Sequence, residues 1–148
     1  MFQATIEMPE GDTRRRHMAH DKSGIVDLGV LKDKVPVNDG VMPINYGFIP
    51  HTKNPAEGDE LDVIIFSEQK IEVGEVVEFE VIGLLRRSDG DDKVIGVDIR
   101  NASTMENWEQ ISPPLQNLIL EFFAHIAPIT KIESKELAQK YIEENTIS

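Results

Sequence analysis

The chain has 148 residues, with 27 acidic and 15 basic side chains, a formal charge of −12 and no cysteine. That charge argues against a broad nucleic-acid surface, which needs basic patches, and the lack of thiols excludes disulfides and thiolate chemistry while suiting a reducing, cytoplasmic setting. No apolar run approaches the roughly 20 residues of a membrane span, so the expectation is one soluble domain over residues 1–148, with neither leader nor anchor and with enough chain to bury a core.

In chain order, "FQATIEM" (2–8) alternates and reads as a strand, as does "GIVDLGVL" (24–31). Between and after them lie clustered cations, Arg14, Arg15 and Arg16, then Lys32 and Lys34. Taken alone, such clusters read as a solvated face. Further strands are expected at "LDVIIF" (61–66), "VVEFEVIGLLR" (76–86) and "KVIGVDIR" (93–100). The short, Gly-containing "RRSDGDD" between the last two predicts a hairpin with Asp89, Asp91 and Asp92 near its tip.

The period then changes. Ser112 followed by Pro113 is a good helix start for "PPLQNLILEFFAHI", where Leu115, Leu118, Ile119 and Phe122 recur at helical spacing. Ser134 similarly opens a terminal helix, "KELAQKYIEE". Strands first and helices last predict an α+β, mainly β fold with a mostly antiparallel sheet or barrel and helices on one side. Five or more such strands can close into a small barrel, and its mouth is the expected binding site, where the two acidic segments would face each other.

The first acidic segment, "EGDELDV" (57–63), holds four carboxylates in seven residues. Two like charges about 5 Å apart repel by about 3 kcal/mol at an effective dielectric near 20, so something must compensate. In an extended strand Glu57 and Asp59 share one face and Asp62 takes the other; Gly58 can adopt a positive φ and fold the segment into a turn. Asp62 has the parity of Ile64 and Phe66, so it projects toward apolar surroundings and needs a cation or dense hydrogen bonding. Oxygen-only ligands suit a hard ion such as Mg²⁺, Mn²⁺ or Ca²⁺. The spacing does not match a calcium-binding EF-hand loop, and Mg²⁺ is commonly held by a few carboxylates together with substrate phosphates. His17, His20, His51 and His125 lack the close paired spacing of another metal site.

Four ordered motifs carry a family resemblance over roughly residues 2–127. "EGDELDV" resembles the Asp-x-Asp-[Pro/Glu]-apolar-Asp signature of the soluble family I inorganic pyrophosphatases, with Glu57 in place of the first Asp. "PINYGFIPHT", "VIGLLRRSDGDDK" and the N-terminal "IEMP" are similar to three further motifs of that family. The resemblance implies a five-stranded OB-like barrel with flanking C-terminal helices, hydrolysis of inorganic diphosphate to two phosphates by a metal-activated water, Mg²⁺ as cofactor with Mn²⁺ as an alternative, and a homo-oligomer, a hexamer. No nucleic acid or membrane partner is implied.

Carried over by residue, it makes Glu57, Asp62, Asp89 and Asp91 metal ligands, with Glu7 an acid behind them. Asp59 would help deprotonate the attacking water. Arg16, Lys34 and Lys93 would contact phosphate oxygens, and Tyr46 would hydrogen-bond to the substrate. The chain also departs from the family. Ile126 and Ala127 stand where a phosphate-gripping Tyr-Lys pair is usual, Met18 replaces an acid, Arg16 a Lys and Lys34 an Arg, and Glu60 is expected to face solvent in place of Pro. These departures keep two alternatives open: a divergent hydrolase of another diphosphate, and a catalytically weak metal- or phosphate-binding homologue.

Overall fold

The computed structural model describes residues 1–147. Its elements are β1 (Phe2–Met8), β2 (Arg14–Met18), β3 (Ile25–Val30), β4 (Asn45–Ile49), β5 (Leu61–Phe66), β6 (Val76–Arg87), β7 (Lys93–Asp98), α1 (Pro113–Ala124), β8 (Ile129–Glu133) and α2 (Lys135–Glu144). Five strands run in the spatial order β1-β4-β5-β7-β6, and β6 pairs back onto β1, which closes the barrel. All of these neighbours are antiparallel except β5 and β7, which run parallel with Asp62 opposite Lys93 and Ile64 opposite Ile95. The 12-residue β6 shifts register between Val81 and Gly83, a bulge that lets one end pair with β1 and the other with β8. β2 and β3 form a separate hairpin.

Alternation along the strands makes two apolar layers. Ala4, Ile6, Leu61, Val63, Ile65, Phe79, Leu84 and Val94 fill the barrel, and Ala138, Tyr141 and Ile142 of α2 pack against them. The intervening residues Ile64, Ile82, Leu85 and Ile95 point outward and are covered by Ile119, Phe122 and Phe123 of α1 together with Trp108 and Ile111. Each of those three α1 anchors contributes about 1.5–3 kcal/mol by leaving water. For Asp62 and Lys93 the expectation of a place at the barrel mouth is corrected by this pattern. Asp62 and Lys93 alternate with Leu61, Val63 and Val94, so they project from the outer wall, beside the layer under α1.

Both helices form where expected, but their starts differ. Ser134 caps α2 by accepting from the Leu137 N–H at 3.3 Å. Ser112 makes no such bond; Pro113 and Pro114 occupy the first two helical positions, which leaves only the Leu115 N–H available to it. Among the described residues no helix is long and apolar enough to cross a membrane.

Candidate active site

The first acidic loop is shaped by Asn54. Its buried side-chain oxygen accepts from the N–H groups of Ala56 (2.7 Å) and Glu57 (3.1 Å), while its backbone N–H donates to Asp59 O at 2.6 Å. Gly58 completes the turn at φ +82°, as its position before the strand predicts. Asn54 also donates through Nδ2 to Gly90 O of the second loop at 3.3 Å. At Gly90 an added Cβ would come within 2.7 Å of the Ala56 Cβ, so the missing side chain is what lets the loops meet. Nothing in the local pattern around "KNPAEGD" beyond a turn-forming Asn-Pro signalled this clasp.

The clasp brings one carboxylate oxygen each of Glu57, Asp89 and Asp91 within 4.8 Å of one another. Oxygen ligands lie roughly 2.0–2.6 Å from Mg²⁺ or Ca²⁺, so oxygens spaced this way can share one hard cation. The residues present therefore fit a metal. Asp62 stands deeper and shares the Lys93 ammonium with Asp91.

Beneath the acids is a cleft of about 250 Å³ whose floor is Tyr46, Asp62 and Lys93. The parallel register of β5 and β7 sets Lys93 beside Asp62. Its ammonium donates to Asp62 Oδ2 (2.7 Å) and Tyr46 Oη (3.1 Å) and pairs with Asp91 Oδ1 (3.0 Å), with a side chain only 2% exposed. Burial pushes the Asp62 carboxyl up to about 6 against the pull of Lys93. Burial acts on Asp91 in the same direction, but Lys93, the hydrogen bond from Asp62 and the charge of Arg87 outweigh it and hold Asp91 below its ordinary value. Burial, then the charges of Asp62 and Asp91, push the Tyr46 phenol well above its usual range, so the hydroxyl stays protonated.

Glu7 is fully buried on β1, accepts from the Met18 N–H at 2.6 Å and faces the His17 ring at 3.9 Å. Burial raises its pKa to about 7 despite both partners. It shares a small crevice with Asp59, Glu60 and Asp62, behind the acidic loop.

Cations line the same cleft. Arg16 lines the cleft and is braced by Asp12, which accepts from Nε at 2.9 Å; the exposed Lys34 lines it too. Arg15 also reaches the cleft, a residue that strand parity would turn away from Arg16. A register shift between Arg14 and Arg16 on β2 removes that alternation. Arg14 is spent on Asp27 at 3.0 Å.

Three further findings sharpen or correct the sequence expectations. Glu60 does not face solvent: its side chain is 18% exposed and takes the Lys22 ammonium at 2.6 and 2.7 Å, tying the β2–β3 turn to the acidic loop. Asp92 is buried, accepting from the Arg87 N–H (2.8 Å) and from Arg86 (3.1 Å), so Asp91 is the acid of that pair that faces the cleft. Where the resemblance leads one to expect Tyr-Lys, Ile126 lines the cleft and Ala127 is buried.

The inorganic pyrophosphatase family model matches residues 4–147. An inorganic pyrophosphatase of Neisseria meningitidis serogroup B is 35% identical over 117 residues, 70% of this chain and 66% of that protein, so the match spans about two thirds of that relative's length. One from Rickettsia bellii is 30% identical over 94% of this chain and 85% of its own. The crystal structure of an inorganic pyrophosphatase from Neisseria gonorrhoeae has a TM-score of 0.84 to this chain, covering 97% of it and 87% of that structure at 24% identity; the likeness is one of fold, a closed five-stranded barrel with two helices.

Proposed function

The chain belongs to the inorganic pyrophosphatase family, and from that premise we propose that it hydrolyses inorganic diphosphate to two phosphates with Mg²⁺ held by Glu57, Asp62, Asp89 and Asp91. The observation that carries this reading is the convergence of Glu57, Asp89 and Asp91 from two loops over a cleft walled by Arg15, Arg16 and Lys34. Bound there, Mg²⁺ or its substitute Mn²⁺ would supply Lewis acidity, lowering the pKa of water toward neutrality and neutralising the incoming anion.

The chain's own groups do the rest. Asp59, exposed on the rim, orients the attacking water and accepts its proton. Arg16 and Lys34, joined by Arg15, take phosphate oxygens from the same cleft through charge-assisted hydrogen bonds, which are strong. Tyr46 keeps its proton and donates to the substrate. Lys93 adds positive charge from the floor while bracing Asp62 and Asp91. Glu7 supports the acidic loop from behind. The protein works in the cytoplasm as a homo-oligomer, a hexamer by family resemblance; the exposed Val26, Leu28 and Val30 of β3 are consistent with an assembled form.

A second reading, hydrolysis of a diphosphate with an organic group, is favoured by one feature. Leu28 and Ile126, 51% and 49% exposed, give the cleft an apolar edge. Phosphate release from inorganic diphosphate, measured with and without Mg²⁺ and with Asp59→Asn as control, separates the two. Release that requires Mg²⁺ and falls in the variant supports the first reading; metal-independent release, or release unaffected by the substitution, overturns it. If inorganic diphosphate is inert and a nucleoside or organic diphosphate is cleaved, the second reading takes its place.

A further inference from the structure

Asp12, between β1 and β2, serves two parts of β2 at once. Its Oδ1 accepts from the Arg14 N–H at 3.0 Å and its Oδ2 from Arg16 Nε at 2.9 Å, with a side chain only 10% exposed. One carboxylate therefore fixes both the backbone where β2 shifts register and the guanidinium that follows the shift. The two arginines differ in what they have left. Arg14 gives both Nε and Nη2 to Asp27, so its fork is used up. Arg16 gives Asp12 its Nε alone; its Nη1 lies 3.8 Å from Asp27 Oδ2, beyond hydrogen-bond length, and its Nη2 has no partner among the described residues.

Arg16 also stands between two cavities. One is the cleft; the other is a groove that includes Glu10, Asp12 and Lys70 and shares only Arg16 with the cleft. Asp12 lines the groove and not the cleft, so its bond to Nε takes no space from a substrate. Charge alone argues against a carboxylate here, because a negative group beside Arg16 weakens the pull on an anion. Geometry argues for one. An arginine side chain loses much rotamer freedom when it is fixed, and a side chain already held loses less on binding. Without Asp12, Arg16 can swing toward Asp27 or into the groove.

We propose that Asp12 is a positioning residue for phosphate binding: it holds Arg16 by Nε so that the two Nη nitrogens meet phosphate oxygens in the cleft, and this orienting effect outweighs the negative charge that it brings. The proposal rests on reading Arg16 as a phosphate contact.

Asp12→Asn and Asp27→Asn remove the same charge beside Arg16, so their comparison separates orientation from charge. Each keeps a side-chain oxygen for the backbone N–H it serves, that of Arg14 or of Gly29. The readouts are kcat and KM for inorganic diphosphate at saturating Mg²⁺, and the affinity for inorganic phosphate by calorimetry. Asp12→Asn is expected to raise KM and weaken phosphate binding about threefold to tenfold, the worth of one immobilised side chain, with kcat little changed. Asp27→Asn should bind as tightly as the wild type or more tightly. In an Arg16→Met background, Asp12→Asn should have no further effect.

The proposal is overturned if Asp12→Asn binds as well as the wild type, if Asp27→Asn weakens binding to the same degree, or if Asp12→Asn still weakens binding once Arg16 is gone. Asp12→Ser, which also keeps an acceptor for the Arg14 N–H, is held to the same outcomes if Asp12→Asn does not fold. A wild-type chain that binds phosphate without cleaving diphosphate overturns the proposed reaction and leaves calorimetry to decide the role of Asp12. One that binds no phosphate overturns both.

Discussion

The two acidic loops that meet through Asn54 and Gly90 carry their charge in opposite ways. In residues 57–60, Glu57 and Asp59 are exposed and without an ion pair among the described residues, and only Glu60 has a cation, Lys22. In residues 89–92 every carboxylate is matched: Asp89 and Asp91 by Arg87, Asp91 also by Lys93, and Asp92 by Arg86. The first loop folds with its charge unspent and leaves repulsion for a ligand to relieve. The second has its repulsion cancelled by the chain. Substitutions in the first should therefore cost turnover and spare stability, and substitutions in the second should cost stability as well.

The largest expected effect is on the first side of that contrast. Asp59→Asn should lower the rate of phosphate release about 10²- to 10⁴-fold, the usual worth of a positioned base. Its melting temperature should stay at the wild-type value; a large drop would erase the distinction between the loops.

Glu7, behind the first loop, offers a test by pH. Its pKa rises from 4.5 unfolded to about 7 folded, so between those values the folded chain keeps a proton that the unfolded chain has lost. Stability of the metal-free protein should fall as pH climbs through that window, by up to about 3 kcal/mol from this group. Glu7→Gln retains an oxygen for the Met18 N–H and should flatten the slope. Urea unfolding at pH 5 and pH 8 reads the difference, and an unchanged slope would mean that Glu7 is not the group responsible.

On the second loop, Asp92→Ala removes a buried acceptor for the Arg87 N–H and for Arg86. Urea denaturation should show a loss of about 2 kcal/mol, because an unsatisfied buried group costs more than the bond itself contributes. Activity should fall far less than in Asp59→Asn. The smallest effect is at Gly58, where an added Cβ meets nothing within 4 Å. Gly58→Ala should cost about 1 kcal/mol of left-handed strain, whereas Gly90→Ala, whose Cβ collides with Ala56, should cost measurably more in the same unfolding assay.

Most of the barrel is legible in the chain because β1, β5, β6 and β7 alternate or run apolar between turn residues, and α2 begins at its capping Ser134. Three strands are not legible, for identifiable reasons. β2, "RRRHM", buries neither face fully and so has no apolar alternation. β4 and β8 are five residues each, too short to show a period, and β8 is held mainly by its pairing with β6. In the site, Asp59, Asp62, Asp89 and Asp91 stand out by spacing and resemblance. Arg87 does not, since an arginine beside an acidic turn is ordinary on a surface and becomes distinctive only once it is buried. Arg15 is hidden by the β2 bulge, and Asn54 reads as a turn former with no hint of the loop it grips.

By itself, the sequence determines which residues share a face, where the chain must turn, and that its acids need a cation. A two-residue period assigns faces regardless of partner, and Gly58 permits its turn whatever lies opposite. Which strand lies beside which is another matter, because the same alternation is satisfied by many pairings and registers. Only the closed barrel decides that β5 and β7 run parallel with Lys93 beside Asp62, that this pair projects from the outer wall, and that Gly90 meets Ala56. Those contacts join residues more than 30 positions apart, and their energies depend on burial that no local stretch of chain possesses.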